Sequence, residues 1–166
     1  DAHSLRNSSF SKIVDTLIEE SFLATVQAKT NIADLQFVPE GDSNLISLLY
    51  YGHAGDGIDW HYDGNIYLGQ RWAGILTFYE NSQDDSSKLE LEIAGESKTF
   101  ARDRVVNTLI LFRTRKPRGP RHRVTKVRPE AEQASFHRFG VTGWYRESSD
   151  IMTIEEQRQR DLMRGI

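Results

Sequence analysis

Two histidines and a carboxylate are the residues in this sequence with the clearest chemistry. Between Tyr50 and Asp63 the chain reads Tyr-Tyr-Gly-His-Ala-Gly-Asp-Gly-Ile-Asp-Trp-His-Tyr-Asp, a Gly-rich approach that ends in the triplet His61-Tyr62-Asp63. Residues two apart in a strand share a face, so the imidazole of His61 and the carboxylate of Asp63 are directed to one point. A third ligand candidate, His122, follows in the run Arg-His-Arg-Val. Two histidines and one carboxylate make the facial set that holds non-haem Fe(II) and leaves the opposite face of the ion open. A His-x-Asp triplet by itself is common among surface polar residues, so its surroundings must carry the assignment.

Composition narrows the alternatives. There is no cysteine, which excludes a disulfide framework, a thiolate metal site and a cysteine nucleophile. Any metal must be held by His, Asp and Glu, a donor set for hard or borderline ions. A chain of 166 residues suits one domain with a real core. We therefore expect a single domain over 1–166 with its β core at about 35–146. No apolar run approaches the ~18 residues that span a bilayer, and no secretory signal is visible. The reading is of a soluble protein without a membrane partner, cytoplasmic rather than secreted. The chain starts with Asp rather than Met, so a targeting segment or flanking domain can lie outside it. Asn7-Ser8-Ser9 is a glycosylation sequon of a kind frequent by chance. The net charge of −3 is unevenly spread: eight of the 21 Lys and Arg lie in 113–128, which holds no acid, leaving 13 basic against 24 acidic residues elsewhere. Such a stretch implies a local positive field.

The elements that must position the three ligands are mostly strands. Phe10, Ile13, Val14, Leu17, Ile18, Phe22 and Val26 keep helical spacing, which predicts one helix over 8–28 on the outside of a sheet, with Ser8, Ser9 and Ser11 as cap candidates. Strands are predicted at 35–38, 44–51, 58–63, 71–79, 89–93, 98–100, 105–112, 121–127 and 135–145, with a loop at 128–133. The apolar run 105–112 reads as buried on both faces. A short helix is predicted over Thr153–Arg164, its acids first and its arginines last, as the helix dipole prefers. Short strands with a flanking helix predict a mainly β fold, a sandwich or jelly roll.

The order of His-x-Asp, distal His, and an Arg heading a strand that ends in Trp resembles the Fe(II)/2-oxoglutarate-dependent dioxygenases, most closely their prolyl-4-hydroxylase-like branch. The residues that carry the resemblance are Tyr51, His61, Asp63, Arg71, Leu111-Phe112, His122-Arg123-Val124 and Arg138-Phe139-Gly140-Val141-Thr142-Gly143-Trp144-Tyr145. They are specific as a set and not singly. The resemblance implies a double-stranded β-helix, a jelly roll with the metal inside one mouth. It assigns Fe(II) to His61, Asp63 and His122, with 2-oxoglutarate as cosubstrate, O2 as oxidant and ascorbate as an optional reductant. It also implies hydroxylation of an unactivated C–H coupled to conversion of 2-oxoglutarate to succinate. In the related halogenases the carboxylate ligand is replaced by a small residue, so Asp63 points to hydroxylation.

The same resemblance assigns the far carboxylate of 2-oxoglutarate to Arg138, whose planar fork matches a carboxylate and stays charged when buried. Alternation puts Arg138, Gly140, Thr142 and Trp144 on one face, with Gly140 leaving room and Thr142 adding a hydroxyl. Tyr51 would donate to the cosubstrate, and Thr77 or Phe78 stands where a further contact is often made. Two departures from the branch stand out. His122 and Arg138 are further apart than usual, which enlarges the intervening loop and makes Lys126 a rival for the anion site. Ser86-Ser87-Lys88 replaces the two glycines usual before Leu89.

The other candidates have plainer readings. His53, Asp56 and Asp59 suit a polar turn, His137 faces away from Arg138, and His3 lies in a terminus. Trp60, Tyr62, Trp72 and Trp144 read as core aromatics, with lining of the substrate pocket as the second reading for Trp72 and Trp144. The basic loop 113–120 reads either as a solvated surface or as a steering field for an anionic substrate or acidic partner. Nucleic acid is not expected, because 113–128 lacks interleaved aromatics and no second Arg closely follows Arg138. Two functions are carried forward. One is an oxygenase acting on a peptide, on a prolyl or other side chain, or on a free amino acid or small molecule. The other is a jelly-roll binding module with a structural or vestigial metal site and a basic interaction loop.

Overall fold

In the computed structural model, residues 10–38, 45–63, 71–81, 85–100, 106–114, 119–133 and 135–147 are described. The predicted C-terminal helix over 153–164, His3 and the sequon at Asn7 lie outside them. Three helices are seen among the described residues: α1 Ser11–Leu17, α2 Glu20–Thr30 and α3 Pro129–Gln133. The nine strands are β1 Leu35–Phe37, β2 Ile46–Tyr51, β3 Ile58–His61, β4 Arg71–Glu80, β5 Leu89–Ile93, β6 Glu96–Phe100, β7 Thr108–Arg113, β8 Arg121–Val124 and β9 Arg138–Glu147.

The strands form two antiparallel sheets. In one, β9 pairs with β1 and β2 on one side and β4 on the other, and β4 pairs with β7. The other runs β3-β8-β5-β6. From β2 to β9 the chain crosses repeatedly between the sheets, which is the jelly roll. Their facing sides enclose Tyr51, Ala73, Ile75, Leu89, Leu91, Phe112, Val124, Val127, Ala131 and Phe136. A cavity lined in part by Leu89, Phe112 and Val124 lies in this layer.

The predicted single N-terminal helix is two. Ile18 and Glu19 leave the helix, Glu19 with an extended backbone. The break lets each half seat on a different part of the outer sheet face. Val14 and Leu17 of α1 join Ile46 and Val141, whereas Leu23 and Val26 of α2 join Leu35 and Tyr145. A straight helix cannot follow a twisted sheet over both patches. α2 ends at Asn31 in the left-handed conformation (φ 57°), which Asn tolerates better than most residues.

Three further expectations are corrected. β7 is half-buried rather than buried on both faces, because it forms the edge of its sheet. The segment 128–133 is not a plain loop: α3 lies in it, and Ala131 and Phe136 pack into the core. Trp60 is not core. It lies half-buried with the guanidinium groups of Arg123 and Arg121 at 4.8 and 5.3 Å from its ring centre, an arrangement stabilised by cation–π attraction.

The seat of α2 gives a stability test. Leu35 is fully buried, and Leu35→Ala is expected to cost about 2–5 kcal/mol, read as a lower urea midpoint with the slope unchanged.

Candidate functional site

The two histidines meet because of an irregularity in β3. Ile58 pairs with Val124 and His61 with His122, so three steps on β3 match two on β8. This bulge brings His61 directly opposite His122 on the cavity side, with ring centres 4.1 Å apart. β3 ends at His61, earlier than predicted, and Asp63 lies in a bend. Asp63 therefore reaches the histidines through the turn and not by strand alternation. Its Oδ1 is 3.2 Å from Nε2 of His61 and its Oδ2 3.4 Å from Nε2 of His122.

The far side of each ring fixes its orientation. Nδ1 of His61 is 2.8 Å from the carbonyl oxygen of Asp59, and Nδ1 of His122 is 3.4 Å from that of Pro120. A carbonyl can only accept, so each Nδ1–H donates outward and each Nε2 turns a lone pair toward Asp63. Such backbone anchoring is usual for metal-binding histidines. Phe112 packs against His122 with ring centres 4.9 Å apart. His122 is buried, and burial lowers its pKa from the ordinary 6.5; Asp63 opposes the shift and His61 adds to it.

Among the described residues, His61, Asp63 and His122 form a group whose ligand atoms all lie within 4.8 Å of one another. The donor set fits a divalent iron. Metal–ligand bonds of ~2.1 Å at right angles put adjacent donor atoms roughly 3 Å apart, close to the 3.2 and 3.4 Å separations between Asp63 and the two imidazoles. Two lone pairs and a carboxylate aimed at one point repel one another unless a cation lies between them.

At the opposite end of the cavity a second irregularity acts. Along β4, Thr77 pairs with Gly140, Tyr79 with Phe139 and Glu80 with Arg138, so the register shifts between Thr77 and Tyr79. The shift reverses the alternation: Thr77 and Glu80 both point inward while Tyr79 turns out to solvent. Gly140 serves this bulge. A Cβ there would lie 2.9 Å from the carbonyl oxygen of Leu76, so Gly140 admits β4 rather than making room for a ligand.

Arg138 is 3% exposed and surrounded. Nη2 donates to Oγ1 of Thr77 at 3.1 Å, Nη1 donates to the carbonyl oxygen of Ser87, and Nε lies 3.9 Å from Oε2 of Glu80. Its guanidinium sits over the ring of Tyr51, 5.5 Å from the centre. Glu80 in turn receives a 2.6 Å ion pair from Lys88. Burial lowers the pKa of Arg138, with Glu80 opposing, but arginine stays charged in proteins. Burial likewise raises the pKa of the Tyr51 phenol, keeping it a neutral donor.

A cavity of about 120 Å3 joins the two ends. Its lining includes Tyr51, His61, Asp63, His122, Arg138 and Thr142, six of the seven residues singled out from the sequence. The seventh, Thr77, contacts it through Arg138. This volume suits a small ligand and is well below the ~300 Å3 where drug-sized sites begin. A larger groove of about 760 Å3 between β6 and β7 contains none of the three ligand candidates.

The rivals fall elsewhere. Lys126 is exposed. Phe78 packs against Phe10 on the helix side of the sheet. Asp56 accepts from the amides of Gly52 and His53, which lower its pKa, and so builds the polar turn. His137 faces outward, where its Nδ1 is 3.0 Å from the Tyr50 hydroxyl. In the basic stretch, Arg113 stacks on Trp72 and Arg123 pairs with Glu90 at 2.6 Å; residues 115–118 lie outside the described set. Glu80 and Lys88 are the buried ionic groups that the sequence reading missed. The Ser87 departure now has an account: its φ is 53°, the left-handed region natural to glycine, and this turn presents its carbonyl to Arg138.

The sequence matches no protein-family model, and no curated protein matches it. Solved structures match its fold. A prolyl-4-hydroxylase from Pseudomonas putida is 17% identical with a TM-score of 0.51, over 77% of this chain and 62% of that one. A prolyl 4-hydroxylase from Phytophthora capsici is 18% identical with a TM-score of 0.58, over 88% and 45%. The non-heme monooxygenase ThoJ, in complex with nickel, is 11% identical with a TM-score of 0.55, over 84% and 54%. The match thus spans about half to three-fifths of the length of these proteins. This chain shares the jelly-roll fold of these solved structures.

Two outcomes follow. Glu80→Ala strips the carboxylate from two buried cations and is expected to destabilise the fold by about 3–5 kcal/mol, measured by denaturation. His122 has a folded pKa below its unfolded one, so the unfolded chain takes up the proton first. Stability measured in chelator is complete above 6.5 and falls as pH drops through the lowered value. His122→Gln flattens that fall in the melting temperature.

Proposed function

We propose that this protein is an Fe(II)- and 2-oxoglutarate-dependent oxygenase that hydroxylates an unactivated C–H. The observation that carries this reading is the joining, in one small cavity, of a two-His, one-carboxylate group at one end and a buried guanidinium at the other. A metal-binding module has no need of the second. His61, Asp63 and His122 would hold Fe(II) on one face and leave the other for small ligands. When bound, iron and 2-oxoglutarate would supply the oxidising chemistry, in which O2 gives one oxygen atom to the substrate C–H and one to succinate, with loss of CO2.

The chain's own residues do the positioning. Arg138 has five N–H donors, and its contacts with Thr77 and Ser87 hold the planar fork in one orientation. A distal carboxylate would dock on its remaining donors with paired, charge-assisted hydrogen bonds. Tyr51 and Thr142 line the space between and would offer hydroxyl groups to the same ligand. Ile75, Leu89, Phe112 and Val124 make the walls apolar, which keeps water away from the charged ends and strengthens both. The matched structures include prolyl hydroxylases, so a prolyl or other peptide side chain is one substrate class, beside a free amino acid or small molecule.

The test is succinate formation from 2-oxoglutarate with Fe(II) under air. His61→Ala, Asp63→Ala or His122→Ala is expected to abolish it, and Arg138→Met to weaken 2-oxoglutarate binding by at least tenfold in calorimetry with Ni(II). Turnover that survives loss of Asp63, or 2-oxoglutarate that fails to bind the Ni(II) protein, would leave the binding-module reading in its place.

A further inference from the structure

Of the described residues that line the cavity between the sheets, one is exposed: Ile58, at 40%. Leu49, His61, Asp63 and Thr142 are half-buried, and the rest are buried. The cavity therefore opens beside β3, which carries both Ile58 and His61. Leu49 and Tyr51 of β2 line it from the other sheet, so the opening lies between these two strands. The Arg138 end is closed, since Thr77, Glu80 and Lys88 are each under a tenth exposed.

A single surface isoleucine needs no explanation, but the direction of this one does. In a regular strand, residues three apart face opposite sides. The extra residue of β3 cancels that change. Ile58 lies opposite Val124 and His61 opposite His122, and all four line the cavity. The bulge that aligns the histidines thus also turns Ile58 inward. The other large apolar residues that are exposed among the described ones, Tyr50, Tyr79 and Ile93, do not line this cavity.

The segment that leads to Ile58 is clamped. The Gly55 amide donates to the Val127 carbonyl oxygen at 2.9 Å, and the Val127 amide donates to that of Asp56 at 2.8 Å. The Asp56 carboxylate accepts from the amides of Gly52 and His53. A Cβ at Gly57 would lie 2.9 Å from the Val124 carbonyl oxygen, so the backbone just before Ile58 lies against β8. An apolar side chain is thereby held in one place at the opening, beside the metal group. A site fixed in advance loses little entropy when it binds.

The cavity of about 120 Å3 suits one small ligand. With that ligand reaching from the metal group to Arg138, a substrate is met at the opening, against Ile58 and Leu49. Neither side chain can pair with a charge or a hydrogen-bonding group, so a polar group pressed against them loses water without compensation. Building on the oxygenase reading, we propose that the C–H to be oxidised is borne by an uncharged aliphatic group, and that Ile58 and Leu49 hold this group beside His61, Asp63 and His122. The substrate class is then an aliphatic side chain, in a peptide or a free amino acid. Ile58 and Leu49 are its specificity residues.

The experiment is calorimetric titration of the protein loaded with Ni(II) and 2-oxoglutarate. One series of probes is acetyl-Gly-X-Gly-amide and the other is the free amino acid X, where X is Leu, Pro, Glu or Lys. In at least one series Leu or Pro should bind about tenfold or more tightly than both Glu and Lys. Ile58→Ser should weaken that binding about tenfold. Ile93→Ser, at an equally exposed isoleucine in the separate groove between β6 and β7, should leave it. Should the serine variant not fold, Ile58→Ala removes the same contact without adding a hydroxyl and should weaken binding to a similar degree. Tighter binding of Glu or Lys, absence of binding by every probe, an equal loss in Ile93→Ser, or unchanged binding in the Ile58 variant would each overturn the proposal. Failure of 2-oxoglutarate itself to bind removes the oxygenase reading instead. The preference among the probes, and its loss in Ile58→Ser, are then still read on the Ni(II) protein alone.

Discussion

A guanidinium buried between two β-sheets is the constraint around which this cavity is built. Taking a cation out of water costs several kcal/mol unless hydrogen bonds and an opposite charge compensate it. Arg138 obtains both, and each partner requires a departure from regular β structure. Thr77 and Glu80 can face inward together only because β4 is bulged between them. The Ser87 carbonyl reaches Nη1 through a backbone in the left-handed region. Glu80, buried in its turn, is held by Lys88. Gly140 lets the strands close at the bulge. Irregular geometry of this sort persists where the surroundings over-determine it, and here it fixes a planar, charged donor at the bottom of a small apolar space.

The metal end is the electrostatic complement of that arrangement. There, acceptors converge instead of donors. Two imidazole nitrogens and a carboxylate oxygen pair crowd one point, their orientation locked from behind by the carbonyls of Asp59 and Pro120. Again a bulge is the means, since the extra residue in β3 puts His61 opposite His122. The cavity thus runs from a site that wants a cation to a site that wants an anion. A short dicarboxylate that also binds metal satisfies both in one molecule, and Fe(II) with 2-oxoglutarate is such a combination.

The jelly roll contributes rigidity and access. From β2 on, and apart from the β5–β6 hairpin, successive strands go to opposite sheets, so β3 and β8, which carry the histidines, face β4 and β9, which carry Thr77 and Arg138. Helices α1 and α2 each cover their own patch on the outer face of the larger sheet, which leaves the inner face to build the cavity. The α3 segment adds Ala131 and Phe136 to the core between the sheets. The lengthened connection from His122 to Arg138 is therefore a packed element, not slack.

Much of this was legible in the residues. Strand pattern and turn residues determined a mainly β chain, residue type and spacing singled out His61, Asp63 and His122, and the family resemblance added Tyr51, Arg138 and Thr142; these six line one cavity. Those inferences succeed because alternation and residue chemistry are local properties. What failed depends on parity and on neighbours distant in the chain. Bulges in β3 and β4 add a residue without any sequence mark, and one residue exchanges the two faces of a strand. Glu80 therefore fell outside the predicted strand 71–79, and Trp60 read as core. The helix read as continuous because its apolar spacing hardly falters, yet the twist of the sheet beneath it divides it. The sequence by itself determined which side chains are candidates for chemistry. Only the tertiary structure decided which of them face one another, because the register between strands is set by packing and hydrogen bonding across the sheets.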